Sequence, residues 1–277
     1  MSRISRPRFA TSVLLGLPLL LFGQVHAQLP DLQPAMFGPS SGLTDIEIVQ
    51  EEFGSIDSVA VRCQVFVETD GSLTDYLCVT DDGIDDRSII ATVSDRLATE
   101  KFTPARADGS KVRVLMNFAV FFTCMAGDCT AVPVPHHGYH LEALGLDYVA
   151  PQPIVSGREW YDGFEDRGPL YASGLRGSGW FTAAVEVDSE GVASTSCIYA
   201  LANVVWDDTR QQNRKKLESI LNRLVETRYV PGFHEGTPVQ TQFFESNNFR
   251  FAVWENGQAR DRGFATEQEA PELYCER

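Results

Sequence analysis

Positive charge is scarce in this chain. Its 277 residues carry 23 Lys and Arg against 38 Asp and Glu, a formal net charge of −15. Nucleic acids and anionic lipid surfaces both call for a basic patch, so the balance speaks against either as a partner. Long apolar runs are also lacking. Residues 12–23 form a stretch of only 12 residues, well short of the ~20 that cross a bilayer. There is no C-x-x-C, which argues against a thioredoxin-like redox site. H-E-x-x-H and a Gly-rich phosphate loop are absent too, so the sequence offers no familiar metalloprotease helix or nucleotide cradle. The expectation is a protein that is not an enzyme and needs no cofactor; an exported enzyme with an unfamiliar site is the alternative.

The first 27 residues have the layout of an export signal. Arg3, Arg6 and Arg8 precede the apolar stretch, and Val25-His26-Ala27 supplies small residues before Gln28. Cleavage there removes three arginines and no acids, taking the charge from −15 to −18. The rival reading is an uncleaved anchor. With the signal cleaved, a periplasmic location and no membrane insertion are expected.

Six cysteines in an exported chain read as a disulfide framework. Cys63 and Cys78 lie symmetrically about Asp70-Gly71, which in a hairpin sets them opposite each other. Cys124 and Cys129 close a short C-M-A-G-D-C loop, leaving Cys197 to pair with Cys275 and pin the tail. Cys124, Cys129, His136, His137 and His140 also cluster as metal ligands do, so a metal-binding role is a second alternative. These histidines and His234 are read as surface or linker residues.

The chain also states one pattern twice. K-F-T-P-A-R-A-D-G-S-K-V begins at Lys101, and R-Y-V-P-G-F-H-E-G-T-P-V begins 127 residues later at Arg228. Pro104 and Pro231, Gly109 and Gly236, and Val112 and Val239 match in spacing. Upstream, Gly71 is answered by Gly191 at an offset of 120. Around these marks the chain predicts the same elements. Val61, Cys63, Val65 and Val67 alternate as a strand, as do Phe181, Ala183, Val185 and Val187. Asp85 and Asp86 are placed to cap a helix carrying Ile89, Ile90, Val93 and Leu97; Asp207 and Asp208 precede one with Leu217, Ile220, Leu221, Leu224 and Val225 on one stripe. Prolines 104 and 231 end the helices. Third strands are expected over residues 111–122 and 239–253. Residues 130–175, rich in Pro, Gly and His, read as a linker.

The order strand, turn with Gly, strand, helix, [KR]-[FY]-x-P, Gly loop, strand resembles the C-terminal domain of TonB, the energy transducer of Gram-negative envelopes. Val65 to Gly71, Lys101 to Pro104 and Gly109 carry the first match; Val185 to Gly191, Arg228 to Gly232 and Gly236 carry the second. The resemblance covers about half of the chain. It implies an α+β fold of two tandem modules, residues 46–130 and 176–277 around a linker at 131–175, each a three-stranded antiparallel sheet packed on a helix. It further implies a periplasmic protein-binding role in envelope transport, with an outer-membrane receptor or other envelope protein as partner. Binding would follow strand addition at a sheet edge. The third strands are the expected edges, at Val112, Val114, Met116 and Phe118 and at Val239, Thr241 and Phe243. If the two copies paired their own edges, the chain would be a structural or adaptor unit instead.

Overall fold

The computed structural model describes residues 31–48, 58–80, 87–125, 128–138, 140–155, 179–202, 218–219, 221–249, 253–255, 258–260 and 272–276. Within them the chain is a mix of small antiparallel sheets with few helices, braced by disulfides. Strands β1 (Ser58–Val67) and β2 (Leu73–Thr80) form a hairpin, followed by helix α1 (Arg87–Leu97). A miniature hairpin, β3 (Ala105–Ala107) and β4 (Ser110–Val112), leads to the long β5 (Val114–Met125) and to β6 (Asp128–Val134). The short α2 (Leu141–Leu144) and β7 (Gln152–Pro153) come next. Strands β8 (Gly179–Val187) and β9 (Ala193–Ala202) make a second long hairpin. After helical residues 221–226 come β10 (Tyr229–Val230), β11 (Gly232–His234), β12 (Thr237–Val239) and β13 (Thr241–Phe249). Strands β14 (Val253–Glu255), β15 (Gln258–Arg260) and β16 (Glu272–Glu276) close the described part.

Among the described residues each main sheet has four strands, not the three expected. One runs β2-β1-β5-β6 and the other β13-β8-β9-β16. Hairpin strands and third strand stand in the same order in both, with the fourth strand on opposite sides. It lies beside the third strand in the first sheet and beside the hairpin in the second. Residues 131–134, expected in the linker, are part of β6.

The matched sequence marks carry matched backbone contacts. Gly71 N–H donates to the Glu68 carbonyl and Phe102 N–H to the Gly71 carbonyl, both at 2.9 Å. Gly191 N–H donates to the Asp188 carbonyl at 3.1 Å, and Tyr229 N–H to the Gly191 carbonyl at 2.9 Å. Both glycines have φ above +80°, and a Cβ on either would collide with the carbonyl oxygen of Phe102 or Tyr229. Only glycine lets the hairpin tip sit against the aromatic-x-proline segment.

The helix expectations hold where they fall within the described residues. Ile89, Val93 and Leu97 are buried along α1, as are Leu221 and Leu224. The caps Asp85, Asp86, Asp207 and Asp208, and Leu217 and Ile220, lie outside the described residues. The third strands begin later than expected. Asp108 and Gly109, and again Glu235 and Gly236, take positive φ, the geometry of a tight two-residue hairpin turn. They fold Val112 back onto Ala105 and Val239 back onto Gly232, so neither valine belongs to a main sheet.

Two short straps complete the pattern. Gln33 and Met36 exchange backbone hydrogen bonds with Arg106 and Thr103. At corresponding places Val149 exchanges them with Phe233, and Gln152 pairs with Val230. The core around the first sheet takes in Leu32 and Ala35 from the first strap. It also takes in Val149, which the sequence places in the linker, and Val230 and Phe233, which it attaches to the second copy.

Candidate functional site

The expected binding edges separate once the strands are placed. Strand β5 is interior: β1 pairs along its length on one side, and β6 covers residues 119–125 on the other. Val114 makes a bridge to Ile154 on that second side, and the Arg113 carbonyl accepts from Val155 N–H at 2.9 Å. Val114, Met116 and Phe118 are fully buried and line the core. The expectation that they form an exposed edge is therefore corrected. It failed because β6 comes from a segment read as linker. Among the described strands β13 lies at its sheet's edge. Phe243 nonetheless points inward, fully buried with its ring 5.7 Å from Tyr229, and Thr241 bonds Tyr148.

Two contacts show which way the backbone groups of the outer strands point. Phe244 of β13 has its carbonyl oxygen 2.8 Å from Asn117 Nδ2, so its backbone polar groups face away from β8, with those of Gln242 two residues before. Cys63 and Cys78 are 4.1 Å apart at Cα, the spacing of a non-hydrogen-bonded antiparallel pair. The backbone N–H and C=O of Cys78 consequently face away from β1.

The Cys63–Cys78 bridge was legible, but for an incomplete reason. The hairpin loop is wider than a two-residue turn: Glu68 N–H donates to the Ser72 carbonyl, and Asp70 accepts from both Ser72 N–H and its hydroxyl. Val67 faces Leu73, and an unbroken ladder would set Cys63 against Leu77. An irregularity on β2, with Asp75 at φ 47°, adds the residue that brings Cys63 opposite Cys78. Cys124 and Cys129 are bridged as well. Cys197 is disulfide-bonded, and Cys275 is its register partner on β16.

A second feature lies where β5 and β13 approach each other. Asn117, His136, His137, His140, Tyr148, Ala150, Gln242 and Phe244 line a cavity with about 10 Å³ open to the centre of a water molecule. His136, read as a surface or linker histidine, lies in the linker segment but is 2% exposed, so the surface half of that reading is corrected. The signal was present in the sequence: the apolar run of β6 continues through Pro135 directly into His136. His137 Nε2 is 2.9 Å from the Cys63 carbonyl and therefore carries a proton. His136 Nδ1 accepts from Gly138 N–H at 2.9 Å, which puts the proton of neutral His136 on Nε2. That Nε2 and the Nε2 of His140 are buried without a hydrogen-bond partner.

Burial sets the protonation of this cluster. It pushes His136 down to about 4, against a weaker pull from the Gly145 carbonyl and with a small push from His140. It pushes His137 down to about 4 as well, opposed by the Cys63 carbonyl and reinforced by Arg62 and His136. His140 is lowered by burial alone. The Tyr148 hydroxyl rises to about 12 by burial, moderated by its 3.0 Å bond to Thr241. The ring nitrogen that faces the cavity from His136 is a donor rather than a lone pair, which does not suit a metal ion. Cys124 and Cys129 are spent on their disulfide. Among the described residues no group of three or more His, Cys, Asp and Glu is placed to hold a metal.

Contacts between the straps and hairpins tie the two sheets together. Gln152, 1% exposed, takes Ala35 at both ends: its Oε1 accepts from Ala35 N–H at 2.7 Å, and its Nε2 donates to the Ala35 carbonyl at 2.9 Å. Arg228 donates through both terminal nitrogens to the Asp108 carboxylate. No protein-family model, curated protein or solved structure matches this chain.

Proposed function

We propose that this chain is an exported, periplasmic protein- or peptide-binding protein built of two tandem TonB-C-like units, working in envelope transport by strand addition at a sheet edge. It is not an enzyme in this reading and uses no cofactor. One observation carries the proposal. The strand order shared by β2-β1-β5 and β9-β8-β13 takes a fourth strand beside the third strand in one sheet and beside the hairpin in the other. Either side of the unit thus accepts an added strand, and among the described strands each sheet keeps the opposite edge: β2 in the first, β13 in the second. Main-chain pairing at such an edge supplies affinity with few obligatory side chains. The Cys197–Cys275 bridge belongs to the same reading, fixing the added C-terminal strand.

The test is capture by the immobilised chain from Gln28 onward, offered a solubilised outer-membrane and periplasmic fraction. Gln242→Pro deletes an outward-facing N–H of β13 without touching the inner ladder, and the double variant Leu77→Glu, Val79→Glu puts charge on the exposed side chains of β2. Capture of an envelope protein that drops with either variant supports the proposal. Capture indifferent to both, or none, overturns strand addition.

A further inference from the structure

Most polar side chains where β5 meets β13 have found partners. Asn117 is engaged at both ends: its Oδ1 accepts from Gln64 Nε2 at 3.1 Å, and its Nδ2 donates to the Phe244 carbonyl at 2.8 Å. Tyr148 Oη lies 3.0 Å from Thr241 Oγ1, and His137 Nε2 lies 2.9 Å from the Cys63 carbonyl oxygen. Two neighbours differ. His136 Nε2 and His140 Nε2 are both shut off from solvent, and neither has a hydrogen-bond partner in the protein. The Gly145 carbonyl acts weakly on His136 without making a hydrogen bond to that nitrogen. Buried polar atoms left in this state are costly, and in native proteins they are nearly always satisfied by protein or by ordered water.

The chain brings the two rings to one place by local means. They are four residues apart, and Gly138, at φ 93°, turns the backbone between them. Both line the cavity shared with Asn117, Tyr148, Gln242 and Phe244, whose 10 Å³ open to the centre of a water molecule is room for one water and for nothing larger. The chemistry of the wall narrows the occupant further. His136 Nδ1 accepts from Gly138 N–H, so the neutral ring offers Nε2–H as a donor and its occupant must accept. An ammonium ion has donors only, and a metal ion requires a ring lone pair. A chloride ion would bring a charge into a buried site where, among the described lining residues, no Lys or Arg compensates it. Water alone among these both accepts and donates.

We infer that this cavity is a binding site for one ordered water, which accepts from His136 Nε2–H and donates to His140 Nε2. The bridge requires His140 to carry its own proton on Nδ1. The Tyr148 hydroxyl and the Gln242 amide stand in the same wall as partners for the water's second hydrogen. Residues 136–140 are thereby tied through water to the start of β13. The site is independent of strand addition.

The test is a crystal structure of the chain from Gln28 onward at neutral pH, together with nitrogen-15 spectra of its labelled histidines. A single water peak is expected within about 3.2 Å of both Nε2 atoms, and ring shifts that report His136 as the Nε2–H and His140 as the Nδ1–H tautomer. A rotating-frame cross-peak between the His136 Nε2 proton and water is expected in solution. His140→Phe should abolish the peak, and the wild-type measurements decide by themselves should that variant fail to fold. The inference is overturned by a cavity without a peak, by a peak that scatters anomalously at a metal edge, by the opposite His136 tautomer, or by a peak that survives His140→Phe.

Discussion

Acid should loosen this protein in a window set by its buried histidines. His136 is 2% exposed, and burial holds it at about 4 against an ordinary 6.5. The unfolded chain binds a proton as pH falls through 6.5, while the folded chain refuses one until about 4. Stability is therefore fully present above pH 6.5, is lost as pH drops toward 4, and levels off below. At ~1.4 kcal/mol per unit, His136 alone costs about 2 kcal/mol at pH 5 and about 3 kcal/mol at pH 4. His137, also pushed to about 4, adds to the loss in the same window. The carboxylates whose values are clearly lowered, Asp70 and Asp108, titrate below 3.8 and leave this window to the histidines. Against a typical total of 5–15 kcal/mol the effect is large. Urea unfolding of the oxidised chain at pH 7.5, 6, 5 and 4.5, followed by fluorescence, measures it. His136→Asn keeps an acceptor for Gly138 N–H and removes the titration, so its curve should lose about one proton's worth of slope. A wild-type stability flat from pH 7.5 to 4.5, or a variant whose slope equals the wild type's, would refute the reasoning.

Other perturbations separate local from long-range determinants. Gly191→Ala should cost about 3 kcal/mol, because the new Cβ strikes the Tyr229 carbonyl at an unfavourable φ. Gly236→Ala meets no atom within 4 Å and should cost only about 1 kcal/mol for its positive φ; urea midpoints compare them. Replacing Cys63 and Cys78 together with serine opens a loop spanning 15 residues in sequence and should lower stability by about 3 kcal/mol, read from the same unfolding curves. Gln152→Ala leaves the buried Ala35 N–H and carbonyl without their partner, with an expected loss of about 2 kcal/mol and faster amide exchange at Ala35.

Much of this fold could be read along the chain because the deciding forces act within a few residues. The glycines at 71 and 191, the positive-φ pairs at 108–109 and 235–236, and the apolar stripe of α1 are choices of backbone sterics and helical period. The Cys63–Cys78 pairing needed one thing more, since the loop is wider than a two-residue turn and the irregularity at Asp75 restores the register. The candidate edges were legible only in part. Thr241 and Phe243 do sit on an edge strand, whereas Val114, Met116 and Phe118 sit on an interior one.

The sequence by itself determined the doubled pattern of turn glycines, aromatic-x-proline segments and hairpins, because each is written in the steric and hydrogen-bonding limits of neighbouring residues. Only the tertiary structure decided which edges β6 and β16 cover, how the straps at 33–36 and 149–152 dock, and that His136 is buried. Those outcomes turn on where β6, β16 and the straps come to lie. Such placements are fixed by closing long loops and by competition for the same core and the same unpaired backbone, and no local pattern encodes that competition.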